Sequence, residues 1–231
     1  MVSDHEAADD DRDEEAAFYE QMEALMPAEE VERRLPELEF ITDAGLRREV
    51  RSTVQTQCPE YFWEAPATGH DALHNPLCRG EHGLWAHTKM VVTAYERMVE
   101  SFVEQGRISA QEADYGRAAC LLHDMHKFGA EYTGQSSAAP DHDIQMAATI
   151  RLATALPEAV ADAVASHMGP FEKYAGPDPE TELERLVHTA DMMGSCRFGT
   201  MWFYKPCSEL REAFPDANHY DDPTLPWEDP L

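Results

Sequence analysis

The amino-acid sequence predicts an all-α fold, a helical bundle with irregular N- and C-terminal extensions. Apolar residues recur at helical spacing from Leu84 onward, and no long segment shows the apolar/polar alternation of a strand. The length of 231 residues suits one core with appended ends rather than two full domains.

Residues 1–15 are Asp, Glu and Ala with hardly a large apolar side chain, too little to repay the entropy of ordering, and are expected to form an acidic disordered tail. Residues 16–57 should supply N-terminal helices packed on the core. One spans 18–31 with Phe18, Met22, Leu25 and Met26 on a face, and one spans 35–54 with Leu38, Ile41 and Leu46 after Pro36. Between Cys58 and Gly83, Pro59, Pro66, Gly69, Pro76 and Gly80 punctuate the chain too often for a long element, and so substantial a loop is often functional.

Val91, Val92, Tyr95, Met98 and Phe102 mark the first bundle helix, and Ala118, Ala119, Leu121 and Leu122 form the stripe of a second over 113–127. Segments 143–156, 157–168 and 181–196 complete it, with Pro157 placed where a missing N–H costs nothing. The domain proper is thus expected over 58–196. Short aromatic pieces at 61–63 and 201–204 are the only strand candidates, and Pro223, Pro226 and Pro230 predict an irregular extension over 197–231.

Charge is extreme: 45 Asp and Glu face 18 Lys and Arg, a net −27, and the only lysines are Lys89, Lys127, Lys173 and Lys205. Self-repulsion on this scale destabilises a compact state unless salt screens it, and at molar salt the screening length is only about 3 Å. Acid spread along the whole chain therefore reads as halophilic, the alternative being an ordinary acidic protein with an acidic tail. Such a surface repels nucleic acid, whose binding depends on phosphate neutralisation.

Cys58, Cys78, Cys120, Cys196 and Cys207 are odd in number and lack CxxC spacing, so they read as reduced thiols, with Cys120 in the core. No apolar run approaches the roughly 18–20 residues of a membrane span, and the N-terminus is acidic. A cytoplasmic protein is expected.

The chemistry concentrates in Leu-Leu-His-Asp-Met-His-Lys at 121–127, where an apolar stripe ends in His123 and Asp124. A buried carboxylate is costly unless paired, and a metal ion is an economical partner. In chain order the sequence adds His87 at a helix start, His142 at a helix start, His167 at a helix end, and Asp191 inside Thr-Ala-Asp-Met-Met. Mixed imidazole and carboxylate ligands suit catalytic centres that keep a position open for water. On the residues alone, His142 also reads as a helix cap, and His167 as a last-turn residue complementing the helix dipole.

The order His87, His123-Asp124, Asp191 on helices, with Lys127 three residues after Asp124, resembles the HD superfamily of metal-dependent phosphohydrolases over about residues 83–196. The resemblance implies an HD-domain helical bundle in which His87, His123, Asp124 and Asp191 bind a divalent ion (Mn, Fe, Mg, Co, Ni or Zn). Several branches add two histidines for a second ion, and His142 and His167 stand in those places, giving one or two ions per chain.

Asp124 and Lys127 are the implied catalytic residues, Lys127 also facing substrate phosphate. Arg79 is a substrate-binding candidate, in a loop similar to the segment before the first metal histidine of exoribonuclease-associated HD domains and able to hold phosphate bidentately. His70, His74 and His82 in that loop also read as polar loop residues. His126 flanks the site or faces water. His188, one turn before Asp191, is core or supports a ligand. Met90, Met98, Met125, Met146, Met192 and Met193 read as core filler. No Gly-Tyr-Pro extension of the cyclic-dinucleotide branch is present.

The expected activity is hydrolysis of a phosphoester of a small molecule, most simply a nucleotide, by metal-activated water. The alternatives are a non-catalytic metal-binding module with a structural or ligand-sensing role, and 3′–5′ exonuclease-like action on single strands.

Overall fold

The computed structural model describes residues 25–69, 74–171, 173–197, 203–204 and 206–215. The acidic tail, the Phe18 and Met22 positions, His70 and the C-terminal prolines lie outside the described residues.

Within them the chain is all α. Its helices are α1 (Ala28–Arg34), α2 (Ala44–Gln57), α3 (Gly83–Glu104), α4 (Ala110–Leu122), α5 (His142–Ala153), α6 (Glu158–Ala165), α7 (Glu182–Ser195) and α8 (Ser208–Ala213). Among the described residues the sole β pairing is an isolated antiparallel bridge between His74 and Cys196. None of their helices is long and apolar enough to cross a membrane.

Helix α3 runs through the middle, packed on α4 and α7, while α6 packs on α5 and α4. Its first half is buried on every side, from Gly83 to Tyr95 without interruption. The close approaches need glycine. A Cβ on Gly116 of α4 would lie 2.0 Å from the Tyr95 hydroxyl, and one on Gly194 of α7 would meet the Val91 amide nitrogen at 3.0 Å.

Helix starts follow their side chains. Ser109 with Glu112, and Thr181 with Glu184, form capping boxes that begin α4 and α7, each satisfying two otherwise orphaned donors. The helix expected over 113–127 accordingly starts earlier, and it ends at Leu122. Beyond it the chain tightens into i+3 turns, Met125 N to Leu122 O (3.1 Å), Lys127 N to Asp124 O (3.0 Å) and Gly129 N to His126 O (2.8 Å). Gly129 closes the run with φ 79°.

Two other expectations are corrected. The element expected over 35–54 divides into a 3₁₀ turn, Pro36–Phe40, and helix α2. The cause is Asp114, whose carboxylate accepts from the Thr42 and Asp43 amides and the Thr42 hydroxyl, while Asp43 caps α2 through the Leu46 amide. The aromatic piece at 61–63 is a 3₁₀ turn, Glu60–Trp63, rather than a strand. Its Trp63 packs edge-on against Trp85 with the Arg34 guanidinium 5.0 Å above the Trp63 ring.

Met90, Met125 and Met146 are buried as expected, as is Cys120, but Met193 is 38% exposed. Met192 lines a cavity rather than the core. Lys89 is wholly buried and pairs with the equally buried Glu37 at 2.5 Å, its ammonium also donating to the Arg34 carbonyl.

Candidate metal centre

The elements that carry the six candidate ligands meet at one end of the bundle. His87 comes from the second turn of α3, His123 and Asp124 from the tight turns after α4, and His142 from the first residue of α5. His167 lies in the turn after α6, and Asp191 in the third turn of α7. All six are buried.

Their donor atoms converge in two sets around Asp124. Its Oδ2 lies 3.2 Å from His87 Nε2 and 3.5 Å from His123 Nε2, and Asp191 Oδ1 lies 3.1 and 3.8 Å from the same two nitrogens. Its Oδ1 lies 3.3 Å from His142 Nε2 and 3.6 Å from His167 Nε2. Within each set the paired imidazole nitrogens are 3.3 Å apart.

Three of these imidazoles are held in one tautomer. The Nδ1–H groups of His123, His142 and His167 donate to the backbone carbonyls of Cys120 (2.9 Å), Ala139 (2.8 Å) and Val164 (2.7 Å), each three residues earlier. Each Nε2 lone pair is thereby turned toward the centre, the arrangement in which an outer hydrogen bond orients a metal-binding histidine. Behind His167, the Nδ1–H of His188 donates to its carbonyl at 2.7 Å.

Lone pairs and carboxylates packed in a dry interior repel one another unless a cation lies between them. Asp124 Oδ1 is buried and has no hydrogen-bond partner. The chemistry of the set, imidazole nitrogen with carboxylate oxygen, suits a borderline divalent ion. His87, His123 and Asp191, or His123, Asp124 and His167, each bring ligand atoms within 4.8 Å of one another, and these groups could hold a metal ion.

The electrostatics run the same way. Burial alone would raise the carboxyl of Asp124, but the Lys127 charge and the neighbouring imidazoles outweigh it and hold the group well below the usual carboxylate range. Burial likewise opposes ionisation of Asp191, and the hydrogen bond from His87 with the surrounding imidazoles overcomes it. For His87 burial works against the charged form, yet Asp124 and Asp191 raise its affinity for a proton well above normal. His167, dominated by burial, is pushed down. The centre thus attracts positive charge.

Lys127 donates to Asp124 Oδ2 and faces a cavity of about 410 Å³ that opens beside the cluster. Asp191 also reaches its wall, with His74, Lys173, Tyr174, Met168, Phe171 and Met192 around it. Two of the chain's four lysines therefore stand at this one cavity. A more open depression of about 550 Å³ beside Thr42, Glu49 and Asp114 has none of the clustered residues in its lining, and the chemistry lies with the smaller space.

Other candidates stand elsewhere. Arg79 is absent from the cavity lining and donates from Nη2 to the His74 carbonyl at 3.2 Å. His126 Nε2 bonds the Gln57 carbonyl at 3.0 Å, away from the cluster. His82 begins α3 with φ 63°, its Nδ1 2.6 Å from the Trp63 carbonyl. Sequence reasoning passed over Tyr174, whose ring lies edge-on 5.4 Å from His142, and Lys173, whose ammonium sits 5.1 Å above that ring. The scarcity of lysine was the available signal for Lys173; for Tyr174 there was none.

Comparison with known protein families, with curated proteins and with solved structures found no match to this chain.

Proposed function

We propose that this protein is a metal-dependent phosphohydrolase of the HD type, with a dinuclear centre acting on a phosphoester of a small molecule such as a nucleotide. The observation that carries the reading is Asp124, one carboxylate whose two oxygens face two separate sets of imidazoles. With one oxygen toward each set, Asp124 would be available to both ions if two were bound. His87, His123 and Asp191 would complete one site, His142 and His167 the other. Divalent ions held there supply Lewis acidity, making water a competent nucleophile near neutral pH and offsetting charge on phosphoryl oxygens.

The chain's own residues supply the rest. Asp124 couples the two sets, and Lys127, tied to its Oδ2, places a fixed cation at the cavity beside them. Lys173 adds a second positive group at the same cavity, in a chain of net −27. A space of about 410 Å³ falls in the range of small-molecule sites. The overall charge opposes a polymeric polyanion, so a small phosphoester is favoured over a nucleic-acid end.

Metal analysis on protein purified at high salt tests this directly, comparing wild type with Asp124→Ala and His167→Ala. Near two ions per chain in the wild type, fewer in both variants, with phosphoester turnover lost on chelation and restored by Mn or Co, is the expected result. One ion indifferent to His167→Ala overturns the dinuclear centre, and loaded protein inert toward a panel of phosphoesters favours a non-catalytic binding module.

A further inference from the structure

The loop after α6 brings to the cavity a cation that the ligand cluster does not use. We infer that Lys173 is a specificity-determining residue that receives a second anionic group, phosphate or carboxylate, carried by the phosphoester away from the reacting phosphate. The inference rests on the hydrolase reading above.

The described lysines stand in different surroundings. Lys89 is buried against Glu37, and Lys127 donates to Asp124 Oδ2. Lys173 is exposed, lines the cavity and has no carboxylate partner among the described residues. In a chain of 45 Asp and Glu against 18 Lys and Arg, carboxylates are the commonest partners at hand. An ammonium kept clear of them at the cavity beside the cluster is available to an anion that enters from solvent.

Contacts fix where that ammonium sits. It lies 5.1 Å from the centroid of the Tyr174 ring, a cation–π arrangement. The same ring packs edge-on with His142, the centroids 5.4 Å apart. Lys173 is therefore no farther from the His142 ring than those two distances together, yet it makes no ion pair with Asp124 or Asp191 of the cluster.

The backbone carrying this pair is anchored. The Tyr174 amide donates to the Phe171 carbonyl at 2.9 Å and the Ala175 amide to the Pro140 carbonyl at 2.9 Å. The Gly176 amide donates to the buried carboxylate of Asp143 at 3.1 Å. Gly176 lies so close to the end of α6 that a Cβ would come within 2.0 Å of the Ala165 carbonyl oxygen. A cation positioned in this way before substrate arrives loses less freedom on binding than a lysine on an unanchored loop.

A phosphate at the cluster has its charge met by the ions and by Lys127. Lys173 adds a favourable contact for a molecule that carries charge further out. Met168, Phe171 and Met192 line the same cavity and offer apolar surface to the part that joins the two charged ends.

The test uses metal-loaded wild type, Lys173→Met and Lys173→Arg on three esters built on one chain: pentyl phosphate, pentane-1,5-diyl bisphosphate and 5-carboxypentyl phosphate. The readout is the preference, kcat/KM for a two-ended ester relative to that for pentyl phosphate. We expect wild type to prefer a two-ended ester about 10-fold, Lys173→Met to lose the preference through KM rather than kcat, and Lys173→Arg to keep it. The two-ended ester that wild type prefers tells phosphate from carboxylate. Metal content equal to wild type in both variants shows that the centre is intact. No preference in wild type, or one that survives Lys173→Met, overturns the assignment and leaves the hydrolase reading in place. If metal-loaded wild type turns over none of the esters, the hydrolase reading fails, and calorimetry with pentane-1,5-bisphosphonate against pentylphosphonate decides Lys173 separately. Tighter binding of the bisphosphonate that is lost in Lys173→Met upholds the anion site, and equal binding of the two overturns it.

Discussion

The His188 imidazole donates from Nδ1 to the main-chain carbonyl of His167 at 2.7 Å, so a residue of α7 fixes the turn that presents a candidate ligand from α6. Gly169 makes room for it: at φ 62° it has no side chain where a Cβ would come within 2.5 Å of the His188 ring. Outer hydrogen bonds of this kind typically matter 10–100-fold in metal affinity. On the dinuclear reading proposed above, His188→Ala should therefore weaken metal binding at His142 and His167 about 10–100-fold and spare the group formed by His87, His123 and Asp191. Competitive chelation followed by metal analysis checks this, and equal loss at both sites would contradict it.

Helix α7 carries Asp191 past His87 only because Gly194 lets it lie against Val91. A Cβ there would meet Val91 Cγ2 at 2.8 Å and the Val91 amide at 3.0 Å, and the backbone atom cannot rotate away. Gly194→Ala should cost about 1–3 kcal/mol by overpacking. It should also lower metal affinity, because any relief moves Asp191 away from His87, now 3.1 Å apart. Denaturant titration and metal analysis together report both effects.

Lys89 and Glu37 form an ion pair with neither side chain exposed, and Glu37 Oε1 has no hydrogen-bond partner. Breaking such a pair leaves a bare charge in the core, whereas replacing both members can be neutral or stabilising. Glu37→Ala and Lys89→Met should each cost about 3–5 kcal/mol, while Glu37→Leu with Lys89→Met together should cost far less. Chemical denaturation of the four proteins reads the coupling directly.

Asp114 is one of the carboxylates that link stability to acid. Burial works against its charge, but the amides of Thr42 and Asp43, the Thr42 hydroxyl and Arg117 outweigh burial and lower its affinity for a proton below that of the unfolded chain. A depressed folded value means stability that is present above the unfolded carboxyl range, near pH 4, and is lost as pH falls through the folded value. Asp114→Asn should destabilise the protein by about 1–3 kcal/mol at pH 7, and the two stability curves should converge in strong acid. Parallel curves down to pH 2 would show that Asp114 contributes nothing through its charge.

The helical character of the core was legible because apolar spacing is a local signal: Val91, Val92 and Tyr95 mark α3 however the chain is folded. Boundaries were less so. The break before α2 depends on Asp114, some seventy residues away, accepting from Thr42 and Asp43, and no pattern near residue 42 contains that information. The turn at Glu60–Trp63 had the aromatic content of a strand and became a 3₁₀ turn packed on Trp85 and Arg34.

By itself the sequence determined the chemical inventory: an all-α chain of net −27, with His87, His123, Asp124, His142, His167 and Asp191 spaced along helix ends and faces. Convergence was a tertiary matter, since these residues span more than a hundred positions and only the packing of α3, α4 and α7, with α5 and α6 against them, brings their nitrogens and oxygens within a few ångströms. The same packing sorted the loop histidines, placing His74 in the cavity wall and His82 at the start of α3. Residue type sets what a side chain can bind or donate. Which atoms it meets depends on contacts between distant segments, and those exist only once the core has formed.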